Sequence, residues 1–223
     1  MIVLPRLYPI LDASCFPDAA DLVTAAHELA AGGCALVQYR NKSGNARQMI
    51  DHARELSKNF SRPLKNGPKG WRRVLGSHPP IAMRLIMNDR PDPCLAADFD
   101  GVHVGQDDLS PEAVRAIIGP ERWVGVSTHN PEQLSEADLT SADYLAIGPV
   151  FATSSKDKPD PVVGLEGVRR ARALTHKPLV AIGGITRANA ASVIEAGADS
   201  VAVISDLLRD PRKSAEEFFR ILR

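Results

Sequence analysis

The chain has 223 residues, 27 Lys and Arg against 27 Asp and Glu, and 44% hydrophobic residues, so its formal net charge is zero. That balance excludes a disordered chain, which needs few apolar residues and usually a large net charge, and it excludes a global basic field for nucleic acid or a membrane surface. The length suits a single α/β barrel and is enough to bury a sizeable core, with two domains still open on length alone.

Met1 to Ile10 begins with an apolar run broken by Pro5, Arg6 and Pro9, without the length or cleavage pattern of a signal peptide. No apolar run reaches the roughly 20 residues of a membrane-spanning helix. Cys15, Cys34 and Cys94 form no C-x-x-C pair, which argues for a reducing compartment and against a disulfide framework or zinc site. The expectation is a cytoplasmic protein.

Short apolar runs alternate with helix-period stretches along the whole chain. Strands are expected at Arg6 to Leu11, Ala35 to Arg40, Arg84 to Met87, Gly101 to Val104, Trp123 to Val126, Tyr144 to Ile147, Pro178 to Ile182 and Ser200 to Ile204. Each is short and apolar, as strands buried on both faces should be. Helices are expected at Asp18 to Ala31, Ala46 to Asn59, Pro91 to Ala97, Ser110 to Ile118, Pro131 to Ala137, Leu165 to Leu174, Asn189 to Ala196 and Ser214 to Leu222. Ser110-Pro111 and Asn130-Pro131 place a capping side chain before a proline at the first helical position, and Gly32-Gly33 and Gly197 fit helix stops. The repetition points to a closed (β/α)8 TIM barrel forming one domain over residues 1–223, with a doubly wound sheet as the alternative.

Residues 61–81 break the rhythm. This Pro/Gly-rich, basic stretch carries Arg62, Lys65, Lys69, Arg72 and Arg73 without an acidic residue. It reads either as a solvated insertion on the face opposite a barrel active site or as a flap attracting an anionic partner.

Polar residues gather where the strands end, and in a barrel those edges converge on one site. After strand two, Gln38-Tyr39-Arg40-Asn41-Lys42 offers a guanidinium fork and an ammonium to an anion such as diphosphate, although an ordinary solvated strand end has the same composition. Strand three leads into Asn88-Asp89-Arg90 and strand four into Asp107-Asp108. Asp89 and Asp108 would make a hard oxygen site of the kind Mg2+ prefers, against the simpler reading that one pairs with Arg90 and the other caps a helix. Strand five ends in Ser127-Thr128-His129, with a hydroxyl for a phosphate oxygen; His103 and His129 read as structural. After strand six, Thr153-Ser154-Ser155-Lys156 could wrap an anion or form a surface turn. Gly183-Gly184 after strand seven, and Ile204-Ser205 after strand eight, suit backbone approach to a phosphate. No G-x-S-x-G elbow or H-E-x-x-H motif supports a hydrolase.

The ordered series VQYRNK, IMNDR, DGVHVGQDDL, GVSTHN, DYLAIGPVFATSSK, VAIGGI and GADSVAVIS resembles the thiamine phosphate synthase family over nearly the whole chain. LYPILD matches only loosely, and the segment before NDR is longer than usual for the family. The resemblance implies a (β/α)8 barrel that joins 4-amino-2-methyl-5-(diphosphooxymethyl)pyrimidine to 4-methyl-5-(2-phosphooxyethyl)thiazole, giving thiamine phosphate and diphosphate with Mg2+. It further implies that Gln38, Tyr39, Arg40, Asn41, Lys42, Asn88, Ser127 and Lys156 hold the pyrimidine diphosphate, with Arg40, Lys42, Ser127 and Lys156 acting on the departing diphosphate. Asp89 and Asp108 would bind Mg2+; Thr153, Ser154, Ser155, Gly184, Ile204 and Ser205 would hold the thiazole phosphate. The implied partners are these small molecules, without nucleic acid or membrane, and a homo-oligomer is left open. Two other readings remain: a thiazole tautomerase on the same barrel, and a non-catalytic regulatory barrel whose basic insertion contacts nucleic acid.

Overall fold

A strand buried on both faces has no polar side to turn to solvent, so the short apolar runs of this chain can be satisfied only between a packed interior and a layer of helices. The computed structural model describes residues 2–60, 83–153 and 160–223. Eight parallel strands, β1 (Leu7–Asp12), β2 (Leu36–Arg40), β3 (Arg84–Asn88), β4 (Gly101–Val104), β5 (Trp123–Thr128), β6 (Tyr144–Ile147), β7 (Leu179–Ile182) and β8 (Ser200–Val203), pair in chain order. The ring closes where Leu7, Tyr8 and Pro9 meet Val201, Ala202 and Val203. This is one closed barrel and therefore one domain; the doubly wound sheet is excluded. The basic insertion at 61–81 lies outside the described residues.

The strands alternate with α1 (Ala19–Ala31), α2 (Ala46–Phe60), α3 (Pro91–Ala96), α4 (Pro111–Ile118), α5 (Pro131–Asp138), α6 (Gly164–Leu174), α7 (Ala190–Glu195), α8 (Ser205–Leu208) and α9 (Pro211–Ile221). Caps decide where several begin. Ser110 Oγ accepts from Ala113 N at 3.2 Å and Asn130 Oδ1 from Gln133 N at 2.8 Å, each satisfying an orphan N–H behind a first-position proline. Asp210-Pro211 does the same for α9, whose start therefore precedes the expected Ser214. The last strand is followed directly by α8, one turn long and too short to show a period in the sequence.

Period two divides each strand between two cores. Leu7 and Leu11 of β1, Val37 of β2 and Leu85 and Met87 of β3 point outward against the helices, where Leu22, Leu29, Leu56, Val114 and Phe218 complete the larger cluster. Tyr8, Ile10, Leu36, Ile86, Tyr144, Val180 and Ala202 fill the barrel interior. That interior is not wholly apolar, because Tyr8 and Tyr144 bring hydroxyls into it and satisfy them against one another at 2.8 Å.

Candidate active site

The same alternation sorts the run after β2. Gln38 and Arg40 follow Leu36 on the inner face: Gln38 Nε2 donates to the Tyr8 hydroxyl at 3.1 Å, and Arg40 is ion-paired with Asp12, its register neighbour at the end of β1. Lys42, half-exposed at the rim, is ion-paired with Asp89. Tyr39 and Asn41 face the other way. The Tyr39 hydroxyl meets His52 Nδ1 of α2 at 3.1 Å and accepts from Asn41 Nδ2 at 3.0 Å. Burial pushes Tyr39 up to about 12. Within the expected set from Gln38 to Lys42, the side chains of Tyr39 and Asn41 thus turn to α2 while those of Gln38 and Arg40 turn inward, because alternate residues of a strand do not share a face.

Asn88, at the end of β3, carries a buried side-chain nitrogen with no hydrogen-bond partner among the described residues. A buried amide donor left unpaired costs roughly 1–3 kcal/mol, so a ligand acceptor at this point would recover that energy. Asp89 follows in the left-handed region at φ 64, where its backbone N–H donates to His103 O at 2.7 Å. Burial raises its carboxyl above the ordinary range, Lys42 opposes that rise, and the nearby carboxylate of Asp108 adds to it. Asp108 Oδ2 accepts from Gly105 N at 2.8 Å. Two carboxylates on neighbouring loops, with Asp108 close enough to disfavour the charge on Asp89, are an all-oxygen donor pair suited to a divalent cation. No group of three or more metal-ligating side chains occurs among the described residues, so water and substrate oxygens would have to complete an octahedral shell.

Ser127, inward on β5, meets His103 Nε2 at 2.8 Å, and Gln106 Nε2 of the following loop donates to the Ser127 carbonyl at 2.7 Å. Burial pushes His103 down to about 4, so its imidazole is neutral near pH 7. His129 Nδ1 lies 2.6 Å from Gly148 O, and its Nε2 is 3.5 Å from Asp160.

Loops six to eight form the other half of the mouth. Thr153 is half-buried, and Ser154, Ser155 and Lys156 lie outside the described residues. Gly184 has φ 62, and a Cβ there would stand 2.5 Å from Ala152 O and 2.8 Å from Phe151 Cβ. Only glycine fits this approach of loop seven to loop six, which is held by Phe151 N donating to Gly183 O at 3.0 Å. Ile204 and Ser205 open α8. Arg187 grips Asp206 through two nitrogens, at 2.8 and 3.1 Å, and also pairs with Glu217 of α9, which ties loop seven to loop eight. Sequence reasoning did not single out Asp12, Tyr8, Tyr144, Gln106 or Arg187. For Asp12 a signal existed, since a carboxylate closing an apolar strand on the inner period must face the mouth.

A family profile described as thiamine monophosphate synthase matches residues 77–207. The thiamine-phosphate synthase of Koribacter versatilis is 59% identical over 222 residues, covering 98% of this chain and 96% of that protein. The thiamine-phosphate synthase of Chloroflexus aurantiacus is 44% identical over 174 residues, 78% of this chain and 72% of that one. Among solved structures, thiamine phosphate pyrophosphorylase from Pyrococcus furiosus superposes with a TM-score of 0.77 at 30% identity, covering 97% of this chain and 95% of its own. With barrel, mouth and near full-length likeness in agreement, the chain belongs to the thiamine-phosphate synthase family.

Proposed function

We propose that this chain condenses the hydroxymethylpyrimidine diphosphate with the thiazole phosphate, releasing diphosphate and forming thiamine phosphate, as a transferase of thiamine biosynthesis. The observation that carries the reading is the set gathered on the inner rim of β2 to β5: Gln38, Arg40, Lys42, the unpartnered amide of Asn88, Ser127, and the carboxylates of Asp89 and Asp108. Gln38 and Asn88 suit a flat heterocycle with ring nitrogens, while Arg40, Lys42 and Ser127 suit its diphosphate. Gly184, Ile204 and Ser205, with Thr153, suit the thiazole phosphate. Ser154, Ser155 and Lys156 belong to this proposal on the family resemblance alone. Tyr39 and Asn41 belong to this proposal on the family resemblance alone, since their side chains fasten the end of β2 onto α2.

The reaction needs no protein nucleophile. The methylene C–O bond breaks with its electron pair going to diphosphate, and the thiazole nitrogen lone pair then forms the new C–N bond to the pyrimidine cation. Arg40, Lys42 and Ser127 meet the negative charge as it develops on the leaving group, which is where fixed donors lower a barrier most. Asp89 and Asp108 would hold Mg2+, which supplies charge neutralisation to the diphosphate. The step requires that water be kept from the cation until the thiazole nitrogen attacks. A cytoplasmic site of action belongs to the same proposal; no helix among the described residues is long and apolar enough to cross a membrane.

A discontinuous assay supplying both substrates and Mg2+ tests this directly. The expected result is stoichiometric diphosphate and thiamine phosphate; isomerisation of a thiazole carboxylate without diphosphate release would overturn the proposal in favour of a tautomerase.

A further inference from the structure

A chain of hydrogen bonds crosses the barrel interior from β2 to β5. Gln38 Nε2 lies 3.1 Å from the Tyr8 hydroxyl, which lies 2.8 Å from the Tyr144 hydroxyl; that in turn lies 3.1 Å from His103 Nδ1, and His103 Nε2 lies 2.8 Å from Ser127 Oγ. The first four side chains are buried. Apolar residues of similar volume would fill a barrel at lower risk, because a buried polar network stabilises only when every member is satisfied.

The network has a direction. An amide nitrogen only donates, so Tyr8 accepts from Gln38; its own buried proton is then satisfied by Tyr144, the other hydrogen-bond partner of that hydroxyl among the described residues. Tyr144, accepting from Tyr8, spends its own proton on His103 Nδ1. A neutral imidazole with Nδ1 as acceptor carries its proton on Nε2, which then donates to Ser127 Oγ. Ser127 is left with its own O–H free. The backbone is shaped to the same end, since a Cβ at Gly125 would lie 2.4 Å from the Tyr144 hydroxyl and 2.5 Å from His103 Nδ1, on top of the bond that joins them.

We propose that Gln38, Tyr8, Tyr144 and His103 form a directional relay of positioning residues that makes Ser127 an acceptor toward the barrel interior, so that its hydroxyl donates its hydrogen bond, with the proton retained, to the departing diphosphate. This rests on the reading of Ser127 as a diphosphate contact. The relay also prevents His103 from serving as a base toward Ser127, because the nitrogen facing the hydroxyl already bears a proton. Reversing the Gln38 amide would reverse every bond, and Ser127 would then donate to His103 and withhold its proton from the substrate.

The imidazole tautomer reports this direction without any reaction. In substrate-free protein labelled with 15N-histidine, the nitrogen shifts of His103 are expected to show the Nε2–H form, and Tyr144→Phe or the milder Tyr8→Phe is expected to admit the Nδ1–H form. In turnover, Tyr144→Phe is expected to lower kcat about fivefold while KM for the thiazole phosphate stays within about twofold, and to have no further effect in a Ser127→Ala background. An Nδ1–H tautomer in the unsubstituted protein, or an equal loss from Tyr144→Phe in both backgrounds, would overturn the relay. Wild-type kinetics of Ser127→Ala would instead remove the diphosphate role of Ser127, and would do so whatever the tautomer. If Tyr144→Phe fails to fold, Tyr8→Phe serves the same cycle, since it cuts the relay one bond earlier and leaves the Tyr144–His103 contact in place.

Discussion

Arg40 and Lys42 do not wait as bare cations: each holds a carboxylate, Asp12 and Asp89 respectively. On the proposed reading, an anionic substrate would exchange partners with cations already held in place by these carboxylates. Lys42→Ala is expected to cut turnover at least about tenfold, which corresponds to losing about 1.4 kcal/mol of transition-state stabilisation. Steady-state kinetics with both substrates checks it, and near-wild-type values would remove Lys42 from the diphosphate site. At this scale the sequence was legible for identity and not for orientation. The run Gln38 to Lys42 announced anion chemistry, yet Tyr39 and Asn41 within it turn to α2. The inner period of β1 placed the Asp12 carboxylate at the mouth, but its pairing with Arg40, 28 positions away, is encoded by no local pattern.

At the scale of elements, the strands were readable because hydrophobic period and length both identify them; β4 and β6 occupy the expected residues. Caps made α4 and α5 equally plain, whereas α8 was invisible: a single turn is shaped by the tertiary clamp of Arg187 on Asp206 rather than by its own four residues. The loop after β7 is legible through Gly183-Gly184, and its backbone conformation explains why. Gly184→Ala would force a side chain onto Ala152 O in a left-handed backbone and push loops six and seven apart. The expected outcome is a rise of about tenfold or more in KM for the thiazole phosphate, with a much smaller change for the pyrimidine diphosphate, measured by varying each substrate in turn. Equal rises for both would mean that the loop does not belong to one substrate.

For the molecule as a whole, the neutral imidazole in the barrel interior links stability to pH. An unfolded histidine titrates near 6.5, whereas burial pushes His103 down to about 4 in the folded barrel. Between those values the unfolded chain binds the extra proton. The stability contributed by His103 is thus complete above about pH 6.5 and is lost as pH falls toward 4, on the order of 3 kcal/mol. Urea unfolding from pH 7 to pH 4 is expected to show this decline, and His103→Asn to show a shallower one; parallel slopes would contradict it. The closure of the ring has a consequence of a different kind. Asp12, the counter-charge of Arg40, sits on β1, and β1 is held on its far side by β8. The diphosphate contact proposed for Arg40 and the phosphate contact proposed for Ile204 and Ser205 therefore lie on either side of one seam between the first and last strands. A chain whose seam has not yet zipped lacks the neighbour that holds the strand bearing Asp12, so on the proposed mechanism the capacity to generate a reactive cation would arrive only with the completed ring.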